Sequence, residues 1–350
     1  MWRANFWAVA GCFFAVIGLF TPASAQAPLF SDNSEIQILI EGPIGDLVRT
    51  ARRGTDPFPA RLSLLGGAEP RRFEIALSAR GISRRTGGIC NFPPIRLDFN
   101  DAVRGTPMQG QNRLKLVTRC RANLQHLTVL EYIAYRLYNE ITPLGFRVRP
   151  AQVTYRDNAG RRREQTQFNF LVEDVDDVAR RNRLTALEVA PDEVRSSQLD
   201  AEASARVGLF QYMIGNLDWD MVSGPAGDEC CHNGKLLAAS ATSRQAVVPV
   251  PYDFDYSGFV NAPYAVPPEG LGVANVRTRH YRGLCRHNAN VPAAAELFQS
   301  RRAALFAVID GDTRLTASRR QAARRYIEEF FAILDEPARF NRQVIERCRR

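Results

Sequence analysis

Short runs of alternating or continuously apolar residues, bounded by Gly, Pro and Asp, fill the first half of the chain. Residues 35–41 (EIQILIE), 60–65 (ARLSLL), 72–79 (RFEIALSA), 95–99 (IRLDF), 113–118 (RLKLVT), 146–157 (FRVRPAQVTYRD) and 167–174 (QFNFLVED) read as strands. One segment interrupts them. From Leu127 to Ile141 the apolar positions Leu127, Leu130, Ala134, Leu137 and Tyr138 recur at helical spacing, which predicts a helix embedded in an antiparallel sheet. After Glu173 the period changes, and residues 199–216, 293–309 and 316–335 carry apolar positions at helical spacing around a loop-rich stretch at 217–290. The expected architecture is α+β, with a strand-rich part over 26–173 and a mainly helical part over 174–350.

The first 25 residues differ from both parts. They hold Arg3, an uncharged apolar run from Phe6 to Phe20, and the small-residue pattern Ala23-Ser24-Ala25. These features predict a cleaved export signal and a protein working in the periplasm or outside the cell. Val9-Ala10-Gly11-Cys12 resembles a lipid-attachment motif, but the apolar run continues well past Cys12. No later stretch approaches the roughly 18 uncharged apolar residues of a membrane span, so no transmembrane anchor is expected after cleavage.

Composition changes this picture in two places. Beyond residue 25 there are six cysteines, Cys90, Cys120, Cys230, Cys231, Cys285 and Cys348, and an even number in an exported chain favours disulfides. Cys90 and Cys120 both flank strand segments and are the expected pair. Zinc is the alternative for Cys230-Cys231-His232, against which adjacent cysteines lack the usual spacer. The net charge of +9 points to no particular partner, because 44 of the 46 basic residues are Arg and their clusters lack regularly interleaved aromatics. Specific nucleic-acid binding is not expected.

Against that background Lys115 and Lys235 are the only lysines. Lys115 lies in an alternating strand, where a compact ammonium suits approach to a phosphate. Glu131 falls on the apolar stripe of the 127–141 helix and therefore needs a partner, for which Lys115 is the economical choice. Asp218 and Asp220 follow a helix stop at Gly215-Asn216, where the helix dipole is negative and gives a carboxylate no support. Asn233, and Asp253 and Asp255 on one side of an extended segment, add hard oxygen donors suited to Mg or Mn. The chain has no Walker A loop, no GxSxG and no HExxH.

These segments, RGISRR (80–85), CNFPPIRLDF (90–99), RLKLVTRC (113–120), LEYIAYRLYNEITP (130–143), FLVEDVDDVARR (170–181), QYMIGNLDWD (211–220), CCHN (230–233) and VPYDFDYSGFVNAPYA (250–265), resemble the spore coat protein H (CotH) kinase-like family of atypical secretory kinases. The resemblance implies a protein-kinase-like two-lobed fold that clasps ATP and a divalent metal. It implies Lys115 as the phosphate-binding lysine, Glu131 as its helix partner, Glu173 at the inter-lobe hinge and Asp218 as the catalytic aspartate. Asn233 becomes a metal ligand, as does Asp253 or Asp255. A glycine-rich loop is missing before Lys115, and Arg80, Arg84 or Arg85 is expected to cradle phosphate instead. The implied function is ATP-dependent phosphate transfer to a protein or small-molecule acceptor. The alternatives are a non-catalytic surface-binding module and a metal-dependent phosphoesterase.

Overall fold

The computed structural model describes Met1 and residues 28–350 except 68, 87, 100–102, 104, 105 and 226–228, and the side chain of Thr86. The export-signal and lipid-attachment readings at 1–25 thus lie outside the described residues, Met1 apart. In chain order the elements are β1 (Ile36–Gly42), α1 (Ile44–Thr50), β2 (Phe58–Leu65), β3 (Arg71–Ala79), α2 (Ser83–Thr86), β4 (Ile95–Phe99), β5 (Arg113–Val117), α3 (Gln125–Ile141), β6 (Val148–Asp157) and β7 (Gln165–Val172). There follow α4 (Val175–Arg181), β8 (Thr185–Ala186), α5 (Ala201–Ile214), β9 (Gly234–Ala238), β10 (Val248–Pro251), α6 (Val291–Ser300), α7 (Arg302–Asp310), α8 (Ala317–Leu334) and α9 (Pro337–Gln343).

The first seven strands close into a barrel in the order β1-β2-β3-β4-β5-β7-β6, while β10-β9-β8 form a separate small sheet. This corrects the expectation of a protein-kinase-like two-lobed fold with a strand-rich lobe and a mainly helical lobe. Closure comes from β1 and β6, which run parallel from Ile36↔Ala151 to Gly42↔Asp157. Alternation along a strand tells which face is buried but says nothing about its neighbour. Two such strands lying side by side remove the edges that an open sheet would expose.

Alternation on β5 sets up the rest of the molecule. Leu114 and Leu116 are fully buried inside the barrel, so Lys115 and Val117 project from its outer face. Beside them on β7, Leu171 points inward while Phe170 and Val172 point outward into a second apolar core. That second core holds α3 and most of the later helices, so α3 is covered on nearly every side. The aromatic rings of Tyr132 and Tyr135 on α3 pack on Phe170, at 5.8 and 5.6 Å between centroids. The embedded helix therefore belongs to the layer outside the barrel, against which the later helices assemble.

Disulfides join Cys90 to Cys120, Cys230 to Cys231 and Cys285 to Cys348. Sulfur atoms joined in this way are not thiolates, which removes Cys230 and Cys231 as zinc ligands. Among the described residues no helix is long and apolar enough to cross a membrane.

Candidate active site

Asp218 owes its position to the end of α5. Gly215 takes a left-handed φ of +62°, and its N–H and that of Asn216 bond back to Tyr212 and Gln211, closing the helix. A Cβ at Gly215 would collide with the Tyr326 hydroxyl, so only glycine fits. The Asn216 side chain then accepts the Asp218 N–H at 3.0 Å, and the buried Trp219 indole donates to the Asn216 carbonyl at 2.9 Å. The loop is built to hold one carboxylate.

Two residues from the β9 side grip that carboxylate. Asn233 Nδ2 donates to Asp218 Oδ2 at 2.9 Å and to the Asp218 carbonyl at 2.7 Å, which leaves Asn233 Oδ1 as the atom available to a cation. His232 Nε2 lies 2.6 Å from Asp218 Oδ1, and because a carboxylate only accepts, the ring N–H donates. The hydrogen bond to Asp218 raises the His232 pKa above its ordinary value, although burial opposes it. A histidine titration followed by NMR is expected to place the His232 midpoint above 6.5, and Asp218→Asn is expected to return it toward that value. The sign for stability follows: this pairing is fully present below the unfolded-state value and is lost as pH rises through the raised one. An unmoved midpoint in the variant overturns the pairing.

The β9–β10 register delivers the metal-type donors. Pro251 pairs with Gly234, and the Tyr252 N–H bonds to the Asn233 carbonyl at 3.0 Å, so the chain leaving β10 begins beside Asn233. The extended segment expected at 253–255 is not formed. Asp253 adopts φ +62°, its N–H donates to the Tyr135 hydroxyl at 2.9 Å, and the chain turns. The two aspartates consequently part. Asp253 is half-buried on the side of Lys115 and His232, both of which feel its charge. Asp255 is buried deeper, where it accepts the Tyr264 hydroxyl at 3.0 Å.

Behind Asp255 stands Glu131, 3 % exposed. The expected Lys115–Glu131 ion pair is not made, and the cation nearest Glu131 is Arg84, with Nη1 3.8 Å from Oε2. Burial first, then the charges of Asp255 and Asp253, push the Glu131 carboxyl well above the usual range, with Arg84 and Arg80 pulling against them. Asp255 is pushed up to about 7, chiefly by burial and then by Asp253. Buried carboxylates facing one another make a site short of positive charge.

Lys115 stands on the outer face of β5 with Nζ 4.4 Å from the centroid of the Tyr252 ring. Burial pushes its ammonium down to about 8, with Arg80 and Lys235 adding repulsion and Asp253 and Asp174 opposing it. Arg80, at the end of β3, is half-buried, and its Nε has no partner. Arg84 shows the same vacancy at Nε while its Nη2 donates to the Thr118 carbonyl. Lys115, Glu131, Asp218, Asn233, Asp253, Asp255 and Arg80 are therefore brought together. Glu173 is not among them, because its carboxylate takes Arg181 Nε and Nη2, both at 3.0 Å, and the Arg147 N–H at 2.9 Å.

Asp220 also leaves the group of candidates. Burial opposes its ionisation, but Arg349 and the N–H groups of Val222 and Ser223 outweigh it and hold the carboxyl below the ordinary range. Arg349 follows Cys348, which is tied to Cys285, so Asp220 anchors the end of the chain. Among the described residues no three His, Cys, Asp or Glu side chains cage a metal. A hard cation at Asp253 and Asn233 Oδ1 would complete its shell from water and phosphate oxygens, the usual habit of magnesium. Neither a protein-family model nor a curated protein matches the chain.

Proposed function

We propose that this cluster transfers the γ-phosphoryl group of ATP to a hydroxyl on a protein or small-molecule acceptor, with Mg or Mn as cofactor. The observation that carries the reading is the opposition of two charge sets. Lys115, on β5, and Arg80, just after β3, make no ion pair among the described residues, while Asp253, Asp218 and Asn233 lie on the loops around β9 and β10. Phosphate oxygens between the two sets relieve the repulsion among the cations, and a divalent cation relieves that among the carboxylates.

Within that arrangement Lys115 and Arg80 hold the non-bridging oxygens, one as a point charge and one as a fork. Asp253 and Asn233 Oδ1 would hold the cation, which supplies charge neutralisation to the transferring group. Asp218, oriented by Asn233 and His232, accepts the hydrogen bond of the acceptor hydroxyl. As the acceptor oxygen bonds to phosphorus and the bond to the bridging oxygen breaks, ADP leaves and the proton passes to Asp218. The order of Lys115, Glu131, Asp218, Asn233 and Asp253 that underlies the resemblance to the spore coat protein H family supports the same chemistry. The cystine pairs and the signal-like first 25 residues support an exported site of action.

Refolded, oxidised protein incubated with ATP and Mn is expected to form ADP. Lys115→Met is expected to lower kcat/KM for ATP by about 10- to 100-fold, the weight of one charge-assisted hydrogen bond. ATP that raises Tm only with Mn but yields no ADP assigns a binding module without turnover. The absence of both ADP and a shift in Tm overturns the nucleotide assignment, and phosphate released from a model ester without ATP assigns a phosphoesterase.

A further inference from the structure

Arg84 also lines a second cleft of about 430 Å3, formed by the end of α1 and the two residues after it, α2, the segment that follows α2, and Arg162. Five of its lining residues are arginines: Arg49, Arg52, Arg84, Arg85 and Arg162. Among its described lining residues there is no carboxylate. Arg49 pairs at 2.7 Å with Asp46 on its own helix, a carboxylate that Arg161 shares. Among the described residues the guanidinium groups of Arg52 and Arg162 form no ion pair, although the Arg162 N–H donates to the Asp157 carboxylate at 2.9 Å, and Arg162 lies 5.8 Å from the centroid of the Phe92 ring.

We propose that this cleft binds a small soluble ligand bearing a phosphate monoester or pyrophosphate group, at a site separate from the nucleotide. Guanidinium groups that repel one another around one cavity need an anion, and several forks converging from different elements suit a multiply charged tetrahedral group. The forks are held before any ligand arrives. Arg85 donates through Nε to the Gly81 carbonyl and through Nη1 to the Ala51 carbonyl, both at 2.8 Å, which fixes its plane across the cleft. Arg84 is pinned by Thr118, and its buried Nε is without a partner. The Cys90–Cys120 disulfide ties the wall carrying Cys90 to the chain leaving β5. Arg84 also lines the small cavity holding Glu131 and Asp255, so an anion in the cleft sits one guanidinium away from the carboxylate cluster.

The proposal stands apart from phosphoryl transfer because an arginine site needs no metal. Isothermal titration of the full chain with pyrophosphate in EDTA at pH 7.5 is expected to show one saturable site that weakens as NaCl is raised. Arg52→Ala with Arg162→Ala, checked for an unchanged thermal melt, is expected to weaken it by about tenfold or more, as loss of charged hydrogen bonds implies. Arg52→Gln alone, at an exposed position, gives the intermediate loss if the double variant fails to fold. Asp253→Asn is expected to leave this binding intact even if no nucleotide binds. The proposal is overturned by the absence of saturable heat, by equal affinity in the arginine variants, or by citrate binding as tightly as pyrophosphate.

Discussion

Asp218→Ala is expected to lower ADP formation from ATP and Mn by about 10²- to 10⁴-fold, the contribution of a positioned proton acceptor. Nucleotide affinity, read from the Tm shift with ATP and Mn, is expected to stay within about threefold, because Asp218 faces the acceptor side in the proposed mechanism while Lys115, Arg80 and Asp253 hold the nucleotide. The split between rate and affinity makes the test specific. The substitution leaves two donors, His232 Nε2 and Asn233 Nδ2, without their carboxylate acceptor. Both are partly exposed and can turn to water, so the loop is expected to keep its fold. A variant with undiminished ADP formation removes Asp218 from the chemistry. Equal losses in rate and affinity make it a binding residue instead.

The strands were legible because each buries one face, and a period of two survives in residues as plain as Leu114, Lys115 and Leu116. Their closure was not legible. The parallel contact of β1 with β6 joins residues more than a hundred positions apart, and nothing local in either strand names the other. The same division runs through the site. Asp218, Asn233 and Asp253 could be picked out as loop donors, since each sits where neither capping nor core packing explains it. What orients them was hidden: Tyr135, whose hydroxyl accepts the Asp253 N–H, looks in sequence like any aromatic on a buried helix face. His232 was overlooked as the neighbour of Asp218 because two adjacent cysteines drew it into a metal reading. Glu131 was recognised as needing a partner, yet sequence proximity favoured Lys115 over Arg84, which arrives from α2.

In metal-free protein at pH 8, Asp255→Asn is expected to raise stability by about 2–4 kcal/mol. Asp255, 6 % exposed, is pushed from 3.8 up to about 7, so its ionised form above pH 7 costs the folded state about 4 kcal/mol at 1.36 kcal/mol per pH unit. The folded state holds this proton where the unfolded state has lost it. Between pH 4 and 7 the native chain therefore binds more protons than the unfolded one, and stability falls as pH rises through that window. Asparagine keeps an acceptor for Tyr264 and removes the charge, so the decline flattens and Tm at pH 8 rises by about 3–6 °C. Added Mn separates the two aspartates. Its binding is expected to raise the Tm of the wild type. It is expected to survive Asp255→Asn and to vanish in Asp253→Asn, since of the two it is Asp253 whose charge bears on Lys115 and His232. The reverse pattern transfers the metal to Asp255 and leaves Asp253 as a charge that tunes Lys115. An unchanged metal-free Tm in Asp255→Asn means that the Asp255 charge costs the folded state nothing at pH 8, which overturns its raised pKa.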